Sequence, residues 1–345
     1  MIKATTPSRL SSGATDQMFS FVDAFAGIGG LRIGFEAAGG TCVYSIEIDR
    51  YARLSYEANF GHPPEGLDVR ATQDLPSHDV LLAGFPCQPF SVAGVSKRSS
   101  LGRPHGFRDQ TQGTLFFDLL RLIDTNRPKV IVLENVKHLI AHDRGRTFKT
   151  ILGALDESGY ETTWDVIDAV NWVPQRRKRV FLVAIERNWY PGQRFVFPAP
   201  DPMPQWLGKI LEKEVSPEFS KSVRVWNYLQ HHARKHKSRG NGFGFGLVGP
   251  EDTTRTLSAR YHKDGSEILV RNPGGGPPRM LTPRECARLM GFPEQFRIVV
   301  SNTQAYRQFG NAVVVPVAQF IAEALVDQGF IGSSSSNYPG LRRAG

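Results

Sequence analysis

Cysteine is scarce in this chain of 345 residues, which has three: Cys42, Cys87 and Cys286. They form no CxxC pair and no cluster with histidine, so neither a disulfide framework nor a zinc site is predicted. We therefore expect no metal, and we expect a reducing compartment, the cytoplasm.

Long apolar runs are also lacking. No unbroken run approaches the roughly 18 residues that a membrane-spanning helix needs. Residues 1–18 lack the apolar core of a signal peptide. These absences predict a protein that stays in the cell that makes it and has no membrane partner.

Acidic residues are outnumbered by basic ones, with 33 Asp and Glu against 42 Lys and Arg, for a net charge of +9. Such an excess favours a polyanionic partner, nucleic acid first of all. General solubility is an alternative that charge alone leaves open. A hydrophobic content of 40% with 34 Gly and 23 Pro is typical of a globular protein rich in turns.

The order of patterns along the chain predicts two folded domains. From residue 19 to 186, short apolar runs alternate with helical patterns, which is typical of an α/β domain with a parallel sheet covered by helices. Residues 187–281 are rich in proline and glycine and predict a smaller, loop-rich domain. Residues 282–303 predict a connecting helix or hinge, capped by Thr282 with Pro283 and Glu285 following. Residues 304–331 are predicted to complete the first domain, and residues 1–18 and 332–345 to be mobile.

A glycine-rich turn, FAGIGG at 25–30, follows an apolar run and precedes a helical pattern. Glycines there let the backbone approach a nucleotide closely. Glu47 ends the next strand pattern, where an acid can bind two ribose hydroxyls. The pattern also fits a tight turn in any α/β protein, and it does not separate NAD from S-adenosylmethionine.

A candidate nucleophile lies in GFPCQPFS at 84–91. Cys87 follows a strand pattern, so it is expected at the carboxyl end of a strand, where open α/β sheets hold their chemistry. A lone cysteine usually packs in a core, but Pro86 and Pro89 restrict the backbone around this one and favour a nucleophile. Glu134 ends another strand pattern, and beside a thiol a proton-donating role is favoured over helix capping.

Two basic segments are candidates for substrate contacts. A run of cations such as QRRKR at 175–179 is usually a solvated surface, but in a strand Arg177 and Arg179 project to the same side and can reach one site. The polar segment 91–113 is too long for an ordinary connection, so we predict a mobile loop that closes over nucleic acid. Its predicted DNA contacts are Ser91, Arg98, Arg103 and Arg108.

Together these segments resemble the cytosine-5 DNA methyltransferase family, in particular its bacterial, Dcm-like members. The motifs in that family's order are FAGIGG, PCQPFS, ENV at 134–136, QRRKR, LTPRECARLMGFP at 281–293 and QFGNAVVVP at 308–316. The resemblance covers residues 21–325. It implies a Rossmann-like methyltransferase sheet with a smaller target-recognition domain, and S-adenosylmethionine as the methyl donor that leaves as S-adenosylhomocysteine.

The resemblance also implies roles for single residues. Cys87 would attack carbon 6 of a cytosine rotated out of the duplex, Glu134 would hydrogen-bond the ring, and Arg177 and Arg179 would complete the catalytic set, with Arg177 as a second contact to the base. Ile48 and Ala312 depart from the aromatic residue and the serine that are frequent in the family. The implied cofactor-binding residues are Phe25, Gly27, Gly29, Gly30, Glu47, Ile48, Asp68, Val69, Pro86, Leu115, Asn311 and Val313.

The smaller domain is expected to read the DNA. Its basic run would contact phosphates, and Arg260 would pair with guanine unless it forms a salt bridge within the domain. The predicted DNA-binding residues there are Lys235, Arg239, Phe243, Phe245, Thr256, Arg260 and Tyr261.

Three other functions fit parts of the sequence. An RNA (tRNA) cytosine-5 methyltransferase would share the catalytic half, but the long basic and glycine-rich insert favours double-stranded DNA. A binding module without catalysis would be expected to lose Cys87 or Glu134, and an NAD oxidoreductase would leave the later motifs unexplained. The resemblance further implies a bacterial, nucleoid-associated monomer with a companion restriction endonuclease or mismatch-repair nuclease.

Overall fold

A computed structural model describes residues 18–86, 115–201, 203, 205–240 and 244–332 of the protein. Predictions for Cys87, the 91–113 loop and Phe243, and for almost all of both chain ends, lie outside the described residues. Every structural statement below concerns the described part of the chain.

A six-stranded sheet with the strand order β2-β1-β3-β4-β6-β5 forms the centre of the protein. Its strands are β1 (Phe19–Ala24), β2 (Gly40–Ile46), β3 (Val80–Ala83), β4 (Val130–Val136), β5 (Tyr160–Asp168) and β6 (Lys178–Glu186). The predicted α/β class is confirmed. Strands β1 to β4 pair in parallel, as expected, whereas β6 runs antiparallel to both β4 and β5.

Strand β5 was not among the predicted strands, because its sequence YETTWDVID is mostly polar and only partly buried. It lies at the edge of the sheet and is joined to β6 by the short segment 169–177. So short a connection suits antiparallel neighbours, since a parallel crossover needs a dozen or more residues. The prediction of a parallel sheet is therefore wrong for β6, which runs in the opposite direction.

Helices cover both faces of the sheet. The α-helices of the described residues, including two in the smaller region, are α1 (Gly30–Ala37), α2 (Arg50–Phe60), α3 (Leu115–Asn126), α4 (Arg146–Glu157), α5 (Val223–Ser238), α6 (Tyr261–Asp264), α7 (Pro283–Leu289), α8 (Asn302–Asn311) and α9 (Val315–Asp327). The strand residues alternate between two cores: Val80 and Leu82 join the cluster that contains α1 and α9, and Leu81 and Ala83 join the cluster that contains α3 and α4. This period of two is the expected geometry of a strand buried on both faces.

Helix α9 packs directly on α1. A Cβ added at Gly34 would come within 2.6 Å of Ala318 Cβ and 2.7 Å of the Gln319 backbone nitrogen, so a glycine is required for this approach. The stretch Asn302–Asp327 is long and apolar enough to cross a membrane on length and composition alone. It is interrupted by extended backbone at Ala312 and Val314, and its apolar residues belong to the core.

The smaller region contains α5, α6 and two short parallel strands, β7 (Leu247–Val248) and β8 (Leu269–Val270). Its buried Leu257 and Ile268 belong to the same hydrophobic cluster as α1 and α9, so the core is continuous across the predicted boundaries. The division at 187 and 281 stays a prediction. The helix start at Thr282 is as expected, since Thr282 and Glu285 form a capping box.

Candidate active site

A cleft of about 1250 Å³ opens at the carboxyl ends of β1 to β4. Open α/β sheets bind their ligands at this edge. Among the predicted cofactor residues, those that line the cleft are Phe25, Gly27, Gly30, Glu47, Ile48, Asp68, Val69, Pro86, Leu115, Asn311 and Val313. Gly29 does not line it, because its Cα faces the Phe60 ring, which a Cβ would approach to 2.5 Å. A Cβ at Gly30 would lie 2.7 Å from the Val313 carbonyl. Both Gly29 and Gly30 are therefore required for close packing.

The turn after β1 is held by Glu47. The Gly27 N–H donates to Glu47 Oε2 at 2.8 Å and the Asp49 N–H donates to Oε1 at 2.6 Å. Gly27 has a positive φ of 57° and nothing within 4 Å of a would-be Cβ, so it leaves the cleft open beside the carboxylate. Burial raises the pKa of Glu47, and the backbone N–H donors oppose that shift. A carboxylate has about four lone-pair sites, so two remain for hydroxyl donors.

An apolar surface and an acidic side chain lie further along the cleft. Ile48 is 58% exposed although it is aliphatic, and it lines the cleft next to Glu47. Val69 is buried, and Asp68 accepts from Arg70 Nη2 at 2.6 Å, which lowers the pKa of Asp68. The predicted adenine end therefore has an exposed apolar side chain and a carboxylate that already has an arginine partner.

A buried cluster that the sequence did not reveal lies beneath the glycine turn. Arg32 Nη1 donates to Tyr56 Oη at 2.7 Å, and Arg32 Nε donates to Glu36 at 2.7 Å. Asp23 is completely buried near Arg32, and burial raises the pKa of Asp23 to about 8. The sequence signal for this cluster is Asp23, a charged residue within the apolar run of β1, because a buried polar residue needs a partner.

The second half of the cleft contains Glu134, which is almost completely buried at the end of β4. Its Oε1 forms an ion pair with Arg179 Nε at 3.1 Å. Burial raises the pKa of Glu134, and the positive charges of Arg179 and Arg177 oppose that shift. A Cβ at Gly84 would lie 3.6 Å from Glu134 Oε2, so the backbone after β3 passes close to this carboxylate.

Asn135 supports the segment that leads to the predicted nucleophile. Its Nδ2 donates to the Phe85 carbonyl at 2.8 Å, and both residues are buried. This hydrogen bond links β4 to the chain immediately before Pro86, which lines the cleft. The ENV motif at 134–136 predicted a role for the Glu134 carboxylate alone, and this role of the Asn135 amide was not predicted.

Arg177 lines the cleft and has three backbone partners there, and its predicted role as a second contact to the base stays a prediction. It is 2% exposed and donates to the carbonyls of Leu257 at 2.7 Å, Gly310 at 3.0 Å and Ala312 at 2.8 Å. Burial lowers the pKa of Arg177 to about 9, which leaves the guanidinium protonated at neutral pH. Both arginines line the cleft, but it is Arg179 that forms an ion pair with Glu134.

Several predicted DNA-reading residues have structural partners instead. Tyr261 is fully buried, donates to the Ile268 carbonyl at 2.7 Å and accepts from the Leu281 N–H, so it cannot reach a base. Thr256 Oγ1 donates to the Arg176 carbonyl at 2.7 Å. Phe245 packs against Trp226 with ring centroids 4.8 Å apart. Burial, which the motif pattern does not encode, thus corrects the prediction for Tyr261, whereas Thr256 and Phe245 are only partly buried and their DNA contacts stay predictions.

Lys235, Arg239 and Arg260 remain exposed as predicted. Ser91, Arg98, Arg103, Arg108 and Phe243 lie outside the described residues. Within the described ranges no group of three or more His, Cys, Asp or Glu side chains could hold a metal ion.

The sheet order, the glycine turn with an acid after the second strand, and a buried carboxylate beside an arginine define an α/β transferase with a nucleotide cofactor. The family model described as "C-5 cytosine-specific DNA methylase" matches residues 19–327, so the chain belongs to that family. Members of the family are S-adenosylmethionine-dependent enzymes. The resemblance of the motifs is thereby confirmed.

Named relatives agree with this assignment. The DNA-cytosine methyltransferase of Escherichia coli (strain K12) is 45% identical over 89% of this chain and 77% of its own length. Type II methyltransferase M.DsaV of Dactylococcopsis salina is 47% identical over 90% of this chain and 86% of its own length. The crystal structure of the S. pombe Dnmt2 methyltransferase has a TM-score of 0.71 at 20% identity, covers 90% of this chain and 99% of its own, and shows the fold alone. The relatives support cytosine-5 methylation of DNA over the RNA alternative.

Replacing Glu47 with alanine is expected to weaken the binding of S-adenosylhomocysteine at least tenfold. Each hydrogen bond to a charged acceptor contributes about 1.5 to 3 kcal/mol, and the turn loses its Gly27 partner as well. Titration calorimetry measures the affinity, with Glu57→Ala on the exposed side of α2 as the control. Unchanged affinity would show that the cofactor binds elsewhere.

Replacing Arg179 with methionine is expected to raise the pKa of Glu134 further, because a positive charge close to a carboxylate favours its ionised form. The pKa can be followed by NMR of protein labelled with ¹³C at the glutamate carboxyl, with Glu134→Gln to assign the signal. Arg187→Met, at the opposite edge of the sheet, should leave this pKa as in the wild type. A pKa that did not move, or that fell, in Arg179→Met would contradict the ion pair.

Proposed function

We propose that the cleft binds S-adenosylmethionine at its Glu47 end and a flipped-out cytosine at its Glu134 end, with Cys87 as the nucleophile. The observation that carries this proposal is that a single cleft contains both the glycine turn with Glu47 and the buried pair of Glu134 and Arg179. One end suits a ribose and a purine, and the other suits a heterocycle that must accept a proton or a strong hydrogen bond.

The residues at the first end fit the cofactor. Glu47 has lone pairs left for the two ribose hydroxyls, and Gly27 leaves room for the sugar. The exposed Ile48 offers an apolar surface to one face of the adenine, in place of the aromatic residue that is frequent in the family. When bound, S-adenosylmethionine supplies an electrophilic methyl group.

Cys87 and Glu134 would activate the cytosine. Carbon 5 is a poor nucleophile, and addition of the Cys87 thiolate to carbon 6 converts the ring into an enamine whose carbon 5 is nucleophilic. The raised pKa of Glu134 favours a protonated carboxyl, which can donate to ring nitrogen 3 as negative charge accumulates. After methylation, loss of the carbon 5 proton and expulsion of the Cys87 thiolate restore the aromatic ring.

Arg179 would tune and orient Glu134. Its guanidinium opposes the effect of burial on the pKa of the carboxyl and holds Oε1 through an ion pair. Efficient general acid catalysis requires a pKa near the working pH. Asn135 supports the same step by holding the carbonyl of Phe85, two residues before Cys87.

The other two cysteines are poor candidates for the nucleophile. Burial raises the pKa of Cys42 to about 12, and it raises the pKa of the Cys286 thiol as well. Only a thiolate attacks effectively. This leaves Cys87 among the three cysteines of the chain.

Trapping with 5-fluorocytosine tests the proposed nucleophile. Fluorine at carbon 5 blocks the elimination step, so wild-type protein with S-adenosylmethionine should form a complex with substituted duplex DNA that survives denaturing electrophoresis. Cys87→Ser should form none, whereas Cys42→Ala should form the complex at the wild-type rate. Adduct formation by Cys87→Ser at the wild-type rate would remove Cys87 from the mechanism.

DNA contact outside the cleft is proposed for helix α5 and for Arg260. Only Leu229 of α5 is buried, and its last turn carries Lys235, His236 and Lys237. Cations there also complement the helix dipole, which is the alternative reason for their presence. Arg260 is exposed, and among the described residues no ion pair within 4.0 Å involves it. A guanidinium without a fixed partner can pair with the major-groove edge of guanine.

Lys235→Ala and Arg260→Ala should therefore have different effects. Loss of a phosphate contact weakens binding about equally for all sequences and lowers the dependence of affinity on salt. Loss of a guanine contact relaxes site choice, because such a contact contributes about 1 to 3 kcal/mol of discrimination. Bisulfite sequencing of DNA methylated by each variant, with salt-dependent binding assays, measures both effects. A wild-type site at unchanged stringency in Arg260→Ala would assign recognition to other residues.

The cellular setting follows the same reasoning. Relatives of this chain carry the name Type II methyltransferase, which belongs to restriction-modification systems. We infer a monomer that acts on cytoplasmic, nucleoid DNA, with a companion restriction endonuclease or mismatch-repair nuclease encoded by the same cell.

A further inference from the structure

Three segments that are distant in sequence meet at the buried guanidinium of Arg177. One is the start of β6, one is residues 257–259 of the smaller region, and one is residues 310–312 at the end of α8. We call this meeting point the Arg177 joint. Neither the catalytic step nor DNA reading, as proposed above, uses it.

The joint is held by hydrogen bonds from a cation to carbonyls. Nη1 donates to the Leu257 carbonyl at 2.7 Å, and Nη2 donates to the carbonyls of Gly310 at 3.0 Å and Ala312 at 2.8 Å. The last two lie at the carboxyl end of α8, where unpaired carbonyls and the helix dipole favour a positive charge. The planar, rigid guanidinium thus forms hydrogen bonds with both the smaller region and α8.

The backbones on either side of the joint are in direct contact. A Cβ at Gly310 would lie 2.4 Å from the carbonyl of Ser258 and 2.4 Å from the nitrogen of Ala259. No Cβ approaches backbone atoms so closely without displacing them. Gly310 is therefore needed for the present position of residues 257–259 against α8.

The two sides of the joint lead to different ligands. On the α8 side, Asn311 and Val313 form a wall of the cleft, and Val313 also packs on Gly30 of the glycine turn. On the other side, Ala259 lines the cleft and Arg260 is exposed for DNA. Residues 257–259 contact Arg177 and Gly310, and these two residues adjoin the wall formed by residues 311–313. A shift of residues 257–259 on DNA binding would therefore reach the cofactor wall.

We propose that the Arg177 joint couples DNA binding by the smaller region to cofactor binding in the cleft, with Arg177 and Gly310 as positioning residues. This inference rests on the cofactor cleft proposed above. Coupling is reciprocal, so DNA tightens the binding of the cofactor by the factor by which the cofactor tightens the binding of DNA.

The test measures the affinity of S-adenosylhomocysteine by calorimetry, alone and with a saturating short duplex that carries the site identified by bisulfite sequencing. The ratio of the two dissociation constants is the coupling factor. We expect a wild-type factor of at least about fivefold, the lower end of typical couplings. Gly310→Ala and Arg177→Met should bring it to within about twofold of one. Because both residues line the cleft, each variant's factor is taken relative to its own affinity without DNA.

Arg177→Lys is expected to keep a part of the coupling, because the ammonium keeps the charge but not the planar fork. The matched controls lie far from the joint. Gly153 in α4 has nothing within 4 Å of a would-be Cβ, and Arg187 follows β6 at the opposite edge of the sheet. Gly153→Ala and Arg187→Met should keep the full coupling factor.

Three results would overturn the inference. The first is a wild-type factor of one. The second is a full factor in Gly310→Ala, which keeps the guanidinium and its charge and decides the matter alone if Arg177→Met does not fold. The third is loss of cofactor binding without DNA in both variants, which would make the joint a structural support of the cleft. A wild-type protein that bound no S-adenosylhomocysteine would contradict the cofactor cleft itself.

Discussion

The reversed direction of β6 is the constraint on which the active site depends. Because β6 runs antiparallel to β4, it begins at the edge of the sheet where the parallel strands end, and Arg179 lies opposite Val136 in the strand register. Glu134 is thereby two residues from the partner of Arg179. If β6 had run parallel to β4, its basic start would lie at the other edge, and Glu134 would be a buried carboxyl without a cation.

The pair of Glu134 and Arg179 shows why burial and charge must act together. A carboxyl that is buried alone loses its ionised form, and a carboxyl that is paired in water loses its protonated form. Here burial raises the pKa of Glu134 and Arg179 opposes it. Breaking one partner of such a pair leaves an uncompensated buried charge, so the two residues form one unit.

Close backbone approach is the second recurrent feature of this protein. Gly34 lets α9 contact α1, Gly30 lets the glycine turn contact Val313, and Gly310 lets α8 contact residues 258 and 259. Each glycine joins a segment from the first part of the chain, or from the smaller region, to a segment near its end. The cleft is therefore built from both ends of the folded chain.

The linear sequence determined the family, the α/β class and the ends of the parallel strands where Glu47 and Glu134 lie. These properties are local, since they depend on apolar runs, glycine spacing and motif order within short windows. Only the tertiary structure decided the direction of β6, because strand direction depends on which neighbours pair and not on the composition of the strand. The same holds for the environment of Arg177 and Tyr261: both belong to predicted contact motifs, but only the fold brings the carbonyls of residues 257, 310 and 312 to Arg177 and the Leu281 N–H to the buried Tyr261 hydroxyl.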